Sequence, residues 1–176
     1  MSDVTKKFIT FILIMLIAIA AIIGCVYVVT KTDSNKEHEG SSKVGNTVEL
    51  SAAEINKQVI EKMDYKGISE LAGGDISSHL DIPEGSVTQA SIYISDSSAS
   101  AMEIACFKLT DPNEPSELIN AISAHIALKQ KGFQDSPKER EYIENYVLES
   151  HNGYVFLAIS ENSDHAAKAF EDILEI

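Results

Sequence analysis

Residues Phe8 to Val29 read FITFILIMLIAIAAIIGCVYVV, 22 positions without a charged side chain. A helix of that length spans about 33 Å, which matches a hydrocarbon core of about 30 Å. The competing reading is a buried helix of a soluble domain, but such a helix usually has one polar face, and this run has none. Lys6 and Lys7 stand directly before it. Basic residues stay on the cytoplasmic side, so the C-terminal bulk of the chain is sent outside. The expectation is a cytoplasmic n-region over 1–7, then a transmembrane anchor or signal h-region over 8–29.

A second mechanism of attachment competes with a span. Ile22-Ile23-Gly24-Cys25 resembles a relaxed bacterial lipobox, in which cleavage before the cysteine is followed by its lipidation. The apolar residues before it would then be the h-region of a signal peptide. Val26-Tyr27-Val28-Val29 argues against this, because lipoproteins usually turn polar after the cysteine. The full apolar length favours an uncleaved anchor, while Cys25 remains the candidate lipidation site. Both mechanisms give the same address: the cell membrane, with the C-terminal domain extracytoplasmic.

Thr30 to Gly45, TKTDSNKEHEGSSKVG, has one sizeable apolar residue, Val44, and cannot bury itself. We read 30–47 as a flexible linker, with His38 solvated within it. Sixteen such residues reach roughly 20–25 Å root-mean-square. Positions 48–176 then suffice for one domain with its own core.

Charge narrows the partners. The chain carries a formal net charge of −13. From Val48 onward there are 9 Lys and Arg against 23 Asp and Glu, a net of −14. Such a surface repels phosphate backbones, so nucleic acid is excluded as a partner. The two cysteines, Cys25 and Cys106, lie in the apolar run and in an expected strand. They cannot pair across those places, and Cys106 reads as a small buried apolar residue.

Within the domain, Ser51-Ala52-Ala53-Glu54 is a capping-box signature, and Ile55, Val59 and Met63 come after it at helical spacing toward an end near Asp64. Lys66 to Gly85 is ambiguous, with Gly73-Gly74 as a turn and a short helical turn over Ile76 to Leu80. Val87 to Ser95 alternates as a strand. Ala101 to Leu109 is apolar on both faces and should be a central strand. Asp111 to Pro115 opens a long helix with Leu118, Ile119, Ile122, Ile126 and Phe133 inward. Ser136-Pro137-Lys138-Glu139 combines a second capping box with proline at the first helical position. Asn152-Gly153 joins two more strands, because both residues tolerate positive φ. Asn162 or Ser163 caps a last helix, with Ala166, Ala167, Phe170, Ile173 and Leu174 inward. The order predicts an α+β domain: a helix, then two ββα-like units, with an antiparallel sheet of about four strands and helices on one face.

The run Ala101-Met102-Glu103-Ile104-Ala105-Cys106-Phe107-Lys108 resembles a strand of the domain of unknown function 4358 family. Gln130-Lys131-Gly132-Phe133 and Asn152-Gly153-Tyr154-Val155-Phe156 are similar to later stretches of that family. The resemblance spans roughly Ser51 to Ile176. It implies a membrane-anchored or lipoprotein-like protein of Gram-positive bacteria, and no catalytic residues to carry over.

Chemistry-bearing motifs are otherwise missing. The chain has no P-loop, no dinucleotide fingerprint and no G-x-S-x-G elbow. His38, His79, His125, His151 and His165 show no metal-ligand spacing. Asp111, Asn113, Glu114 and Glu117 form an oxygen-rich cluster that could hold calcium, but helix capping explains the same residues, as it does Glu161, Asn162 and Asp164. Tyr93, Tyr154 and Phe156 would form a binding surface only if a sheet face lay uncovered. The sequence therefore predicts no catalytic, cofactor or metal residues, and leans away from an enzyme. The expected role is a non-enzymatic binding or accessory module at the envelope, with an envelope protein or wall component as partner. A small hydrolase or metal-dependent enzyme, and a structural envelope component, are the alternatives. Convergence of two or more of the domain histidines with carboxylates would favour the metal-dependent enzyme.

Overall fold

The structure is a computed structural model, and it describes residues 49–175. The expected anchor over 8–29, the linker, Cys25 and His38 lie outside the described residues. Among the described residues no helix is long and apolar enough to cross a membrane.

The chain runs through α1 (Ala52–Met63), β1 (Ile68–Glu70), α2 (Gly73–His79), β2 (Val87–Ser95), β3 (Glu103–Leu109), α3 (Ser116–Gly132), α4 (Pro137–Glu144), β4 (Val147–His151), β5 (Tyr154–Ile159) and α5 (Ser163–Ile173). This is an α+β fold. Its strands form one antiparallel five-stranded sheet in the order β1-β2-β3-β5-β4. β3 is central, as its two apolar faces require.

Local chemistry explains most of the boundaries. At the start of α1, Ser51 Oγ accepts from Glu54 N–H at 3.2 Å, and Glu54 Oε2 accepts from Ser51 N–H at 2.8 Å. The helix stops at Asp64, in the left-handed conformation with φ 53°. Asn152 and Gly153, at φ 50° and 81°, form the turn between β4 and β5, the positive-φ pair a tight hairpin needs.

Three local features differ from expectation. β1 was not legible, because it has three residues and a single apolar one; it exists by pairing with the outer edge of β2, and Leu71 N–H continues the ladder to Ile92 O at 2.8 Å. Gly73 and Gly74 open α2 instead of marking a turn. Glycine weakens a helix through its backbone entropy, by about 0.5–1 kcal/mol, but does not forbid one. At Ser136 the expected capping box does not form, although Pro137 does take the first helical turn of α4. Glu139 Oε2 instead accepts from the backbone N–H of Ala101 at 2.7 Å.

The helices cover both faces of the sheet, not one. On one face Leu118, Ile122 and Ile126 of α3 and Ile143 of α4 pack with Ala105, Phe107, Val155 and Leu157, while Leu80 closes the region after α2. On the other, Ala52, Ile55 and Val59 of α1 and Ala166, Ala169 and Phe170 of α5 pack with Ile104, Cys106, Phe156 and Ala158. Phe156 and Phe170 stack with ring centroids 4.7 Å apart and planes 8° from parallel. The cause is in the strands: β3 pairs Ala105 with Leu157 and Cys106 with Phe156, so both faces of the β3–β5 centre are apolar and both must be covered. The two ββα units therefore send α3 and α5 to opposite faces. Two antiparallel neighbours related by a two-fold axis would carry their helices on the same face, so the resemblance between the units stops at element order.

Candidate functional site

Strand parity places Glu103 on the face of β3 that carries Ala105, Phe107 and Leu109. Its partners across the sheet are Ile94 and Ile159, both apolar. A carboxyl group thus enters an apolar stripe, and its side chain is fully buried. An isolated ionised carboxylate there would be prohibitively costly, so it must be compensated.

Compensation comes from two helices. His125 and Lys129 lie one turn apart on α3 and face the same way, as an i,i+4 pair does. His79 is the last residue of α2. Glu103 Oε2 lies 2.5 Å from Lys129 Nζ, 3.0 Å from His125 Nε2 and 3.2 Å from His79 Nε2. The two imidazole rings are 4.8 Å apart between centroids, tilted by 59°. All three partner side chains are largely buried, with exposures of 12–23 %. Burial pushes the Glu103 carboxyl up, but the His125 and His79 imidazoles and the Lys129 ammonium outweigh it and hold it well below the usual carboxylate range.

The cluster is not closed. Three groups converge on Oε2, yet the buried Oε1 of the same carboxyl has no hydrogen-bond partner. His79 Nε2 lies within ion-pair distance of Oε2 but is out of hydrogen-bond alignment, and is also unpaired. A buried polar group left unpaired costs about 1–3 kcal/mol.

Of the domain histidines, His79 and His125 are brought together, while His151 and His165 stand apart from them. His151 sits at the end of β4, 3.5 Å from Glu149, with Glu171 nearby in a partly buried group. His165 lines an open polar depression with Glu161, Asn162 and Asp164. Asp111, Asn113, Glu114 and Glu117 line a second depression. There Asp111 Oδ1 accepts from Asn113 N–H at 2.9 Å, a turn that explains the pair without an ion. Neither Asn162 nor Ser163 makes a side-chain cap on α5; Ser163 Oγ instead accepts from Ser160 N–H at 3.0 Å. Tyr154 and Phe156 are buried, and the Tyr154 hydroxyl donates to Leu50 O at 2.5 Å, so they form no open aromatic surface. Cys106 is buried, and burial pushes its thiol well up, as expected of a packed apolar residue.

Glu103 and Lys129 were not singled out by sequence motif. A signal was present: in the stripe Ala101, Glu103, Ala105, Phe107, Leu109 the carboxylate is the one polar member of a core face. His125 and Lys129 at i,i+4 are another, since they abut the inward Ile122 and Ile126.

A family match covers residues 61–160 and is described as Domain of unknown function (DUF4358). That is more than half of the chain, and the chain belongs to this family. The matched segment includes Glu103 and its three partners. Comparison with curated proteins and with solved structures found no match.

Proposed function

We propose that this member of the DUF4358 family is a membrane-tethered accessory module, held outside the cytoplasm and acting by binding instead of turnover. The observation that carries the reading is the uncharged run Phe8–Val29 behind Lys6 and Lys7, with a polar linker after it. It is supported by the acidic balance from Val48 onward, which suits an aqueous, non-nucleic-acid setting. The buried Cys106 thiol, with its raised pKa, also speaks against nucleophilic catalysis at that residue. A wall component or another envelope protein within linker reach is the partner class.

One observation favours a second reading. His79, His125 and Glu103 converge, and a metal-dependent hydrolase needs such a constellation.

The address is tested by fractionation and protease shaving of intact cells. The chain should stay in the membrane pellet through alkaline carbonate washing, and added protease should remove the 48–176 domain without lysis. Release by carbonate, or digestion only after lysis, would overturn the reading. The mass of the mature protein separates the two anchors: an intact N-terminus supports a span, and a diacylated Cys25 supports the lipobox.

A further inference from the structure

We infer that His79, Glu103 and His125 form a site for one divalent transition-metal ion of zinc-like chemistry, with Lys129 as the ammonium that neutralises the carboxylate when no ion is bound. This goes beyond the envelope reading and does not depend on how the chain is anchored.

The first support is geometric. One ligand atom from each of the three residues lies within 4.8 Å of the other two. His125 Nε2 and His79 Nε2 stand 3.0 Å and 3.2 Å from the same carboxylate oxygen. Ligands held at about 2.0–2.2 Å from one ion have mutual separations of this order. Both histidines bring Nε2 to the same carboxylate oxygen, and either imidazole nitrogen is a competent metal ligand.

The second support is what the protein alone leaves unpaired. Glu103 Oε1 is buried and has no partner, and neither does His79 Nε2. Lys129 already neutralises the carboxylate, so two further imidazoles are not needed for charge. A neutral ring with its proton on Nε2 lets His125 donate to Glu103 Oε2 at 3.0 Å, whereas a ring with its proton on Nδ1 offers Nε2 as a ligand; at His79 the Nε2 is buried and unpaired. A divalent ion would take one nitrogen from each ring and one oxygen of Glu103 as ligands.

Ligand type selects the metal. Two imidazoles and one carboxylate suit zinc and its neighbours in the first transition row, whereas calcium and magnesium seek oxygen. Three protein ligands leave a further coordination position open. Lys129 is the competitor. It lies in the last turn of α3 on a long stem, 13 % exposed, so its ammonium can withdraw to water when an ion arrives. A second group, Glu149, His151 and Glu171, also leaves a buried carboxylate oxygen unpaired at Glu149, but it has a single imidazole and about one-third exposure at His151 and Glu149, and it serves as the internal control.

The test uses the untagged full-length chain in detergent, stripped by chelator and titrated with Zn2+ against a chromophoric competitor. We expect one equivalent bound, no competition from Mg2+ or Ca2+, and a thermal midpoint raised by Zn2+. His79→Gln and His125→Gln should each weaken binding more than about 100-fold, since loss even of an outer partner costs 10–100-fold. His151→Gln should leave it unchanged. Lys129→Met should bind several-fold tighter, and its thermal midpoint should rise more with Zn2+ than that of the wild type, which a merely structural ion pair would not do. Absence of binding by the wild type overturns the inference. So does binding undiminished in folded His79→Gln/His125→Gln protein, or lost in His151→Gln. If the histidine variants fail to fold, Co2+ added to the wild type decides: visible bands of low-coordinate, nitrogen-ligated cobalt support the site, and a hexa-aqua spectrum overturns it.

Discussion

Glu103 is flanked in the sheet by Ile94 and Ile159, so whatever it does is done at low dielectric. Its carboxyl is held below the usual range because the His125, His79 and Lys129 groups outweigh burial. A carboxyl whose folded pKa is depressed adds stability above its unfolded pKa, and that stability is lost as pH falls toward the folded value. The window therefore lies below about pH 4.3, the ordinary glutamate value. Glu103→Gln should cost about 3–5 kcal/mol at neutral pH, the loss typical of breaking a buried pair. In paired urea melts the gap between the variant and the wild type should narrow as pH falls through that window. A gap that stays constant down to strong acid would show that the charge contributes nothing to stability. At this scale the sequence offered both histidines by name, but not their meeting point. Residues 79, 103 and 125 come from a helix end, a strand start and a helix middle, so no local spacing rule could connect them.

Elements were legible where their chemistry is local. The Ser51–Glu54 capping box is one such case, because all its atoms lie within one turn. The Asn152–Gly153 turn is another, and it allows a sharp expectation. Gly153 has φ 81°, and an added Cβ would lie 3.2 Å from Pro112 Cβ. Gly153→Ala therefore meets a left-handed backbone penalty of about 1–2 kcal/mol and a contact besides. Its denaturation midpoint should fall accordingly, while Asn152→Gly should stay within about 0.5 kcal/mol of the wild type. Equal stability of Gly153→Ala and the wild type would refute the strain. Elements were illegible where a distant partner decides them. Ser136 to Glu139 has the letters of a capping box, but the Ala101 N–H claims the Glu139 carboxylate. β1 has almost no strand signal of its own and exists because β2 had an unpaired edge.

As a whole, the 49–175 domain is a three-layer structure in which β3 and β5 are covered on both faces. Cys106 lies in the middle strand, beneath α1 and α5, so no local opening should reach its thiol. Alkylation of the folded chain should thus leave Cys106 unmodified by peptide mass mapping, with its rate rising along the global urea transition; ready modification without denaturant would contradict this. The sequence by itself determined the α+β class, the hairpins, the central place of Ala101–Leu109 and the family. These come from periodicity, turn chemistry and side-chain polarity within a few residues. Tertiary structure alone decided that the helices divide between two faces and that His79, Glu103, His125 and Lys129 meet. The physical reason is that burial is a property of the assembled sheet: a carboxylate inside it must be compensated by whatever groups the covering helices bring, and those can lie anywhere along the chain.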